Sequence, residues 1–259
     1  MTVALRKATD WGPALVVFAL VIAAWEGSIA AFHIQQFLLP KPSAIVSSFW
    51  TDRHTLWPAG WYTFKEALGG FATGSGLAML AATLVGRFKT VGTAFMPIAI
   101  AANAVPIIAF APIFDIWFNP LSPHSKMAIA AVLCFLPVMV NTLRGLQSAS
   151  PRQIELMRSY AASDIEIWRR VRVPAALPFV FTALKVSSVL AMIGAIVGEY
   201  FGGAFNALGV LINSDAQIFD FVTAWAGILL ASILGLALYF AVVLAERIVV
   251  RWAPPVADS

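Results

Sequence analysis

The segment from residue 152 to residue 172 carries an unusual density of charge for this sequence. Charged residues make up only 12% of the 259 residues, yet eight of them fall in this segment. Carboxylate and guanidinium groups at such density form ion pairs, either with another protein surface or with anionic lipid headgroups. The segment is therefore the first candidate for a binding function. Its charged residues are Arg152, Glu155, Arg158, Asp164, Glu166, Arg169, Arg170 and Arg172.

Side chains suited to catalysis or metal binding are scattered along the rest of the sequence. His33, His54 and His124 are far apart, and the single cysteine, Cys134, lies in an apolar run. Ser75, in the sequence GSG, has no histidine near it in the sequence. An enzyme of this kind needs a nucleophile with a base, or a cluster of metal ligands. We therefore predict that the chain is not an enzyme and itself binds no metal or cofactor.

Five polar residues lie inside or at the end of apolar stretches. Polar groups are costly at membrane depth, so each is a candidate for lining a translocation path. Capping or hydrogen bonding between helices is the alternative explanation for the asparagine at position 141 and the two serines, and that alternative stays open. The five are Asn103, Asn141, Ser187, Ser188 and Glu199.

The elements that must position these residues are apolar helices. Hydrophobic residues make up 60% of the chain and the mean hydropathy is +0.84. Several apolar stretches are about twenty residues long, which matches the hydrocarbon thickness of a bilayer. We predict an all-α polytopic membrane protein in which residues 1–259 form one domain and residues 148–175 form a cytoplasmic loop. The predicted spans are about 12–32, 63–86, 92–118, 126–147, 176–200 and 222–246.

The basic residues predict the orientation of these spans. Twelve Lys and Arg residues fall in the connections on one side of the predicted membrane and four on the other, with Lys185 inside the fifth span. The positive-inside rule places the richer side in the cytoplasm, so both termini are predicted to be cytoplasmic. The net charge of +4 does not indicate nucleic-acid binding, because the basic residues follow this topology.

Two of the spans carry patterns of small or helix-breaking residues. The spacing of Gly70 and Gly74 in the second span is typical of close helix packing in lipid. Pro97, Pro106 and Pro112 predict a bent third span. Such a bend either borders a cavity or is only a structural kink.

The charged segment itself reads as two short helices. Ser150 with Gln153 and Ser163 with Glu166 each have the spacing of a capping box. The second helix is expected to end near Val173, because a proline follows it. An apolar stripe is predicted along one face, made of Ile154, Met157, Ala161, Ile165 and Trp168. Such a pair of helices suits either a lipid surface or a docking site for a cytosolic partner.

Residues 155–178, with the sequence ELMRSYAASDIEIWRRVRVPAALP, resemble the EAA loop of the membrane subunits of ABC importers. The stretch FLLPKPSAI and the sequences around the second and fifth spans are similar to the nitrate/sulfonate/taurine-type branch of these permeases. The resemblance covers roughly residues 12–250. Ala161 replaces the glycine usual in the family, so we expect a gentler bend there. The residues that carry the motif are Glu155, Ala161, Ala162, Trp168, Val173, Pro174 and Pro178.

The resemblance implies a type I ABC importer permease fold in the bacterial inner membrane. It also implies a homodimer of permease subunits, two cytosolic ABC ATPase subunits and an extracytoplasmic substrate-binding protein. ATP and Mg are expected on the partner ATPase, and the sequence lacks the G-x-x-x-x-G-K-[ST] motif that cradles phosphates. The residues expected to contact the ATPase are Glu155, Ala161, Ala162, Ser163, Asp164, Ile165 and Trp168.

The resemblance leaves the substrate class open. The branch transports small polar or anionic solutes such as sulfonates, nitrate and taurine, or heteroaromatic compounds of the riboflavin, thiamine-precursor and pyrimidine kind. The stretch VGEYFGG, residues 197–203, is more similar to the riboflavin and thiamine-precursor side. An ion-coupled secondary transporter is the alternative, but it requires internal repeats and midplane charges.

Overall fold

The computed structural model describes residues 2–87, 97, 101 and 106–252. Over these ranges the protein is all-α and contains no β-strand, which confirms the predicted fold class. Five of the described helices are long and apolar enough to cross a membrane, and they overlap the first, second, fourth, fifth and sixth predicted spans. The third predicted span, 92–118, lies outside the described residues apart from two isolated positions and its end, 106–118. The five spans are Gly12–Ala31, Arg53–Gly86, Pro123–Gln147, Asp164–Phe201 and Phe221–Val249.

Ten α-helices follow one another along the described chain. A 3₁₀ turn, Ile107–Phe110, precedes the fourth, and a π-helical segment, Trp168–Arg172, joins the seventh to the eighth. The α-helices are α1 (Thr2–Ala31), α2 (Pro42–Thr51), α3 (Arg53–Gly86), α4 (Ala111–Phe118), α5 (Pro123–Gln147), α6 (Pro151–Ser159), α7 (Asp164–Ile167), α8 (Val173–Phe201), α9 (Leu208–Gln217) and α10 (Phe221–Val249).

Proline marks the start of five of these helices. The first helical turn needs no N–H donor from proline, and the fixed φ of the ring suits the helix. The five prolines are Pro42, Pro112, Pro123, Pro151 and Pro174.

The second span begins ten residues before its predicted start at residue 63. Asp52 alone separates α2 from α3, and its carbonyl oxygen accepts hydrogen bonds from the backbone N–H groups of Thr55 and Leu56. Hydropathy detects only the apolar part of a helix, whereas backbone hydrogen bonding continues into its polar first turns. The predicted span, about 63–86, therefore covers only the apolar part of a longer helix.

The chain divides into two compact units. The first comprises Met1–Pro58 and Leu211–Leu230, and the second comprises Ala59–Val210 and Ala231–Ser259. In the first unit, the Glu26 carboxylate accepts hydrogen bonds from the backbone N–H of Ser43 at 3.1 Å and from its hydroxyl at 2.7 Å, which ties α1 to the first turn of α2.

Two further contacts stabilise the first unit, one between two helices and one at the start of a helix. The rings of Trp25 and Trp225 meet edge to face, with centroids 5.4 Å apart. Asp220 caps α10 by accepting hydrogen bonds from the backbone N–H and the hydroxyl of Thr223. Burial and the neighbouring carboxylates of Asp220 and Asp52 raise the pKa of Asp215. In this unit, then, Asp220 caps α10 and its carboxylate also lies near that of Asp215.

The core of the second unit lies where α3 and α8 meet α5. Six side chains form one buried cluster, and small residues predominate because the helices approach closely. Its members are Ala78, Ala82, Val138, Met139, Leu143 and Ala183.

Glycines set the separation between α3 and α5. A Cβ atom at Gly74 would lie 2.7 Å from the Cα of Ala131, and one at Gly70 would lie 2.6 Å from the carbonyl oxygen of Met127. Real Cβ atoms do not approach other backbone atoms so closely, so a side chain at either position requires the helices to move apart. The packing role predicted from the spacing of these two glycines is confirmed.

Candidate functional site

The charged loop, residues 148–175, consists of α6, a tight turn, α7 and the π-helical segment that leads into α8. The predicted break between two short helices, near residues 161–163, is confirmed. Of the residues expected to contact a partner, Glu155, Asp164 and Ile165 are exposed, whereas Ala162 and Trp168 are half-buried.

The two predicted capping boxes have different outcomes. At the start of α7, the backbone N–H of Ser163 donates to the Glu166 carboxylate at 2.9 Å, and the N–H of Glu166 donates to the Ser163 hydroxyl at 3.4 Å. At the start of α6, Ser150 occupies the N-cap position but its side chain makes no capping hydrogen bond. Gln153 lines a cleft beside Trp252 instead. Only the second capping box is therefore formed.

The bend between α6 and α7 is sharp and left-handed. Ala161 has a φ of 54°, so the gentler bend expected from its alanine is wrong. Two hydrogen bonds close the turn, from the N–H of Ala161 to the carbonyl of Arg158 at 2.9 Å and from the N–H of Ala162 to the carbonyl of Met157 at 3.0 Å. This pair of bonds is the Schellman motif. Its closure outweighs the steric cost of an alanine in the left-handed region.

The helix that starts at α7 does not end at Val173. It continues through the π-helical segment, in which the N–H of Val173 donates to the carbonyl of Trp168, and then into α8. A proline clashes with the carbonyl four residues before it in a regular α-helix. The wider π turn moves that carbonyl, so Pro174 begins α8 without breaking the helix. The predicted helix end was therefore wrong.

The residues of the predicted apolar stripe do not all face the interior of the protein. Ile154, Met157 and Trp168 are half-buried, whereas Ala161 and Ile165 are exposed. Two exposed apolar residues of the loop were not predicted.

The exposed side chains are Leu156 at 57%, Tyr160 at 76% and Ile165 at 60%. Large apolar side chains exposed beside charged residues indicate an interaction surface. We call Leu156, Tyr160 and Ile165 the apolar tip of the loop. In the EAA motif that the loop resembles, alanine follows the glutamate, and Leu156 stands in its place here. Only this difference could have pointed to the apolar tip in the sequence.

Glu199, one of the candidates for a translocation path, is buried with only 2% of its surface exposed. Its carboxylate accepts hydrogen bonds from the Thr63 hydroxyl and from the backbone N–H of Gly209, each at 2.6 Å. The Thr63 oxygen in turn accepts the N–H of Leu208 at 2.9 Å. Thr63 and Glu199 thus satisfy the first two N–H groups of α9.

The buried carboxylate has charged neighbours in the second unit. Glu66, with only 2% of its surface exposed, lies near Glu199. Lys126, which is 1% exposed, donates to Asp115 at 2.8 Å and to the carbonyl of Pro120 at 2.5 Å. Sequence reasoning missed this arrangement, because Asp115 and Glu66 lie on different helices whose pairing the sequence does not show.

The remaining path candidates make local contacts. Asn141 is half-buried and donates to the carbonyl of Pro137 in its own helix at 2.8 Å. The Ser187 hydroxyl is buried and donates to the carbonyl of Cys134 on α5, and Ser188 donates to the carbonyl of Lys185. Asn103 lies outside the described residues. The hydrogen bond between helices that was left open as an alternative occurs for Ser187, whereas Asn141 and Ser188 bond carbonyls of their own helices. The translocation path stays a prediction.

One ion pair joins α8 to α10 within the predicted membrane depth. The Lys185 ammonium lies 3.0 Å from the Glu246 carboxylate, and about a quarter of each side chain is exposed, 25% and 24%. Charged residues inside a membrane pair with one another and face protein or water.

Comparison with known proteins gives one family and several relatives. Residues 74–253 match the family described as binding-protein-dependent transport system inner membrane component. The chain is 31% identical over 248 residues to the riboflavin transport system permease protein RibX of Chloroflexus aurantiacus, an alignment that covers 94% of this chain and 91% of that protein.

Two further relatives have similar coverage. The formylaminopyrimidine transport permease protein ThiX of Halalkalibacterium halodurans is 34% identical over 243 residues, with 91% of this chain and 93% of the relative covered. The putative aliphatic sulfonates transport permease protein SsuC of Bacillus subtilis is 27% identical over 253 residues, with 95% and 90% covered.

Proposed function

Because the chain belongs to the family of inner membrane components of binding-protein-dependent transport systems, we propose that it is the permease subunit of an ATP-driven importer, coupled to a separate ATPase through the charged loop. The exposed apolar tip of this loop is the observation that carries the proposal. The side chains of Leu156 and Tyr160 are more than half exposed, whereas other apolar side chains of the loop, such as Ile154 and Met157, are half-buried. A partner that covers them would remove apolar surface from water.

The charged residues of the loop also support the assignment of this surface to partner binding. Glu155 and Asp164 are exposed on α6 and α7, next to the apolar tip. An apolar centre with a charged rim is the usual arrangement of a protein interface. We assign to this surface the coupling residues Glu155, Ala161, Ala162, Ser163, Asp164, Ile165 and Trp168.

The proposed assembly has two copies of this permease, two cytosolic ATPase subunits and an extracytoplasmic binding protein. Both termini lie in the cytoplasm in this proposal, which places the charged loop on the ATPase side. ATP and Mg are bound by the ATPase, and this chain takes no part in the hydrolysis chemistry. The translocation path runs between permease helices, and Asn103, Asn141, Ser187, Ser188 and Glu199 are its candidate polar residues.

We propose a heteroaromatic substrate of the riboflavin or pyrimidine-precursor kind. The relatives named for riboflavin and formylaminopyrimidine transport are 31% and 34% identical to this chain, against 27% for the relative named for aliphatic sulfonates. A small anionic solute such as a sulfonate is the second candidate.

The coupling role is tested with the charge reversal Asp164→Lys in the complete importer, reconstituted in vesicles with its ATPase and binding protein. We expect uptake to fall at least about tenfold while ATP hydrolysis continues, because a reversed charge at an interface repels the partner. Uptake is measured with labelled riboflavin, a formylaminopyrimidine and an alkyl sulfonate, in parallel with phosphate release.

The matched control is Asp164→Asn, which removes the charge without reversing it. It should retain more uptake than Asp164→Lys. Full coupled transport by Asp164→Lys would refute the coupling assignment. Uptake driven by an ion gradient without ATP would instead identify an ion-coupled transporter.

A further inference from the structure

A cleft of about 240 Å³ lies where the charged loop meets the end of α3. It is separate from the apolar tip, because Leu156, Tyr160 and Ile165 do not line it. We call it the arginine cleft. Its described lining residues are Arg87, Ile154, Arg158, Asp164, Ile167, Trp168 and Arg172.

The charge of the arginine cleft is predominantly positive. Arg87, Arg158 and Arg172 contribute three guanidinium groups, and Asp164 contributes one carboxylate. The ion pairs among the described residues involve Lys126 and Lys185. Among the described residues none of the three arginines forms an ion pair, and three guanidinium groups outnumber the one carboxylate, so the arrangement is suited to an anion. Guanidinium groups bind phosphate oxygens with two parallel hydrogen bonds, which makes arginine the preferred residue for phosphate groups.

The surroundings of the cleft indicate which kind of anion it suits. Arg87 directly follows α3, and three leucines precede it at steps of three and four residues, so they lie on the same face of the helix. Leu77, Leu80 and Leu84 are 59%, 63% and 70% exposed. The leucines could contact the acyl chain of a lipid while the arginine at the end of the row binds its charged headgroup.

Aromatic packing also indicates that the cleft lies at the level of the lipid headgroups. The Arg172 guanidinium lies 6.0 Å from the ring centroid of Trp168, and this ring approaches Gly86 at the end of α3. Tryptophan is enriched at the level of lipid headgroups, because its ring is apolar and its N–H is polar. The cleft therefore combines a cationic group, an interfacial aromatic ring and an exposed apolar helix face.

We propose that the arginine cleft is a binding site for an anionic phospholipid. Arg87, Arg158 and Arg172 hold the phosphate, and the acyl chains lie along the leucine face of α3. A bound lipid would join the charged loop to α3 and limit its movement relative to that helix. The cleft shares Asp164 and Trp168 with the proposed coupling surface, whereas the three arginines that hold the phosphate and the apolar tip belong to one site each.

The test measures lipid binding by the purified permease in detergent, titrated with phosphatidylglycerol or phosphatidylcholine and followed by native mass spectrometry. The variant carries Arg87→Gln, Arg158→Gln and Arg172→Gln. We expect it to bind phosphatidylglycerol about tenfold more weakly than the unaltered protein, because each guanidinium near the headgroup contributes to the attraction. Binding of phosphatidylcholine should be weak in both proteins.

The matched control removes the same charge outside the cleft, through Arg144→Gln, Arg152→Gln and Arg169→Gln, all at exposed positions. It should bind phosphatidylglycerol like the unaltered protein. Equal losses in both triple variants would overturn the proposal, because they would show general attraction to positive charge. The single variant Arg158→Gln, at an exposed position, provides the same comparison if the triple variant does not fold.

A soluble competitor distinguishes a lipid from a free anion. We expect glycerol phosphate, which has the headgroup chemistry without acyl chains, to leave bound phosphatidylglycerol in place. Complete displacement by glycerol phosphate at equal concentration would show a free-phosphate site and overturn the lipid assignment. Retention of the lipid supports the contribution of the leucine face.

Discussion

Ala161 shows how a single residue in the charged loop is held in an unfavourable conformation. Its φ of 54° lies in the left-handed region, which costs an L-residue with a Cβ about 1–2 kcal/mol. The two hydrogen bonds of the Schellman turn hold it there. The loop therefore makes its sharp bend at some cost in stability.

We predict that Ala161→Gly stabilises the bend. Relief of the left-handed strain should exceed the entropy that glycine adds to the unfolded chain, for a net gain of about 0.5–1 kcal/mol. Hydrogen–deuterium exchange of the amides of residues 160–167 should slow in the variant. The control is Ala162→Gly at the next residue, whose φ is not positive; it should leave exchange unchanged or faster. Faster exchange in Ala161→Gly would contradict the prediction.

The two capping boxes show what local sequence predicts at the residue scale. The Ser163–Glu166 box forms because both partners are exposed and near in sequence. The Ser150–Gln153 box has the same spacing, but Gln153 lies in a cleft with Arg170 and Trp252. The cleft is lined by residues far along the chain, so its presence beside Gln153 could not be read from the spacing.

At the scale of elements, the close approach of α3 and α5 depends on backbone contact. The space at Gly74 is filled by the backbone of Ala131, which cannot rotate away as a flexible side chain would. Gly76, two residues later in the same helix, has nothing within 4 Å of its would-be Cβ. The two glycines therefore have different roles despite the same residue type.

We predict that Gly74→Ala destabilises the permease by about 2 kcal/mol or more, because α3 and α5 must separate. Gly76→Ala should be neutral or stabilising by up to about 1 kcal/mol, because alanine is the better helix former. Thermal unfolding of the two purified variants in one detergent provides the measurement. An equal effect of both substitutions would show that helix separation is not limiting.

The π-helical segment explains why the helix of the charged loop continues past its predicted end. Trp168–Arg172 lets a helix continue into Pro174, where the sequence predicted a stop. As a result the charged loop is connected to α8 by continuous helix. No break in the helix separates α7 from α8, which is long and apolar enough to cross a membrane.

At the scale of the whole molecule, Thr63 and Glu199 join parts of the second unit that are far apart in sequence. The Thr63 hydroxyl accepts from an N–H 145 residues later and donates to a carboxylate 136 residues later. The start of α9 is thereby fixed to α3 and α8. Gly209 allows the contact, because a Cβ there would lie 2.6 Å from a Glu199 carboxylate oxygen.

We predict that Thr63→Val destabilises the protein by about 1–3 kcal/mol, because it leaves the buried N–H of Leu208 without an acceptor. The matched control on the same helix is Thr73→Val. The Thr73 hydroxyl binds carbonyls of its own helix, so its loss should cost less than about 0.5 kcal/mol. Thermal unfolding midpoints compare the two. If Thr63→Val unfolds no earlier than Thr73→Val, the polar network does not hold α9 in place.

The family comparison confirms the resemblance on which the functional expectations rested. The chain is similar over 94% of its length to one transport permease and over 91% to another. The motif from Glu155 to Pro178 was sufficient for this identification, because its residue types recur at fixed spacing. The same motif did not predict the substrate, which stays a proposal.

The sequence by itself determined that this is a multi-pass helical permease with a charged loop. Hydropathy, proline positions and the loop motif are local properties, and they survive in any packing of the helices. The tertiary structure alone decided that Glu199 caps α9, that Lys126 pairs with Asp115 in the interior, and that the apolar stripe divides between a buried face and an exposed tip. Each of these depends on which helices meet, and that is decided by contacts between residues separated along the chain.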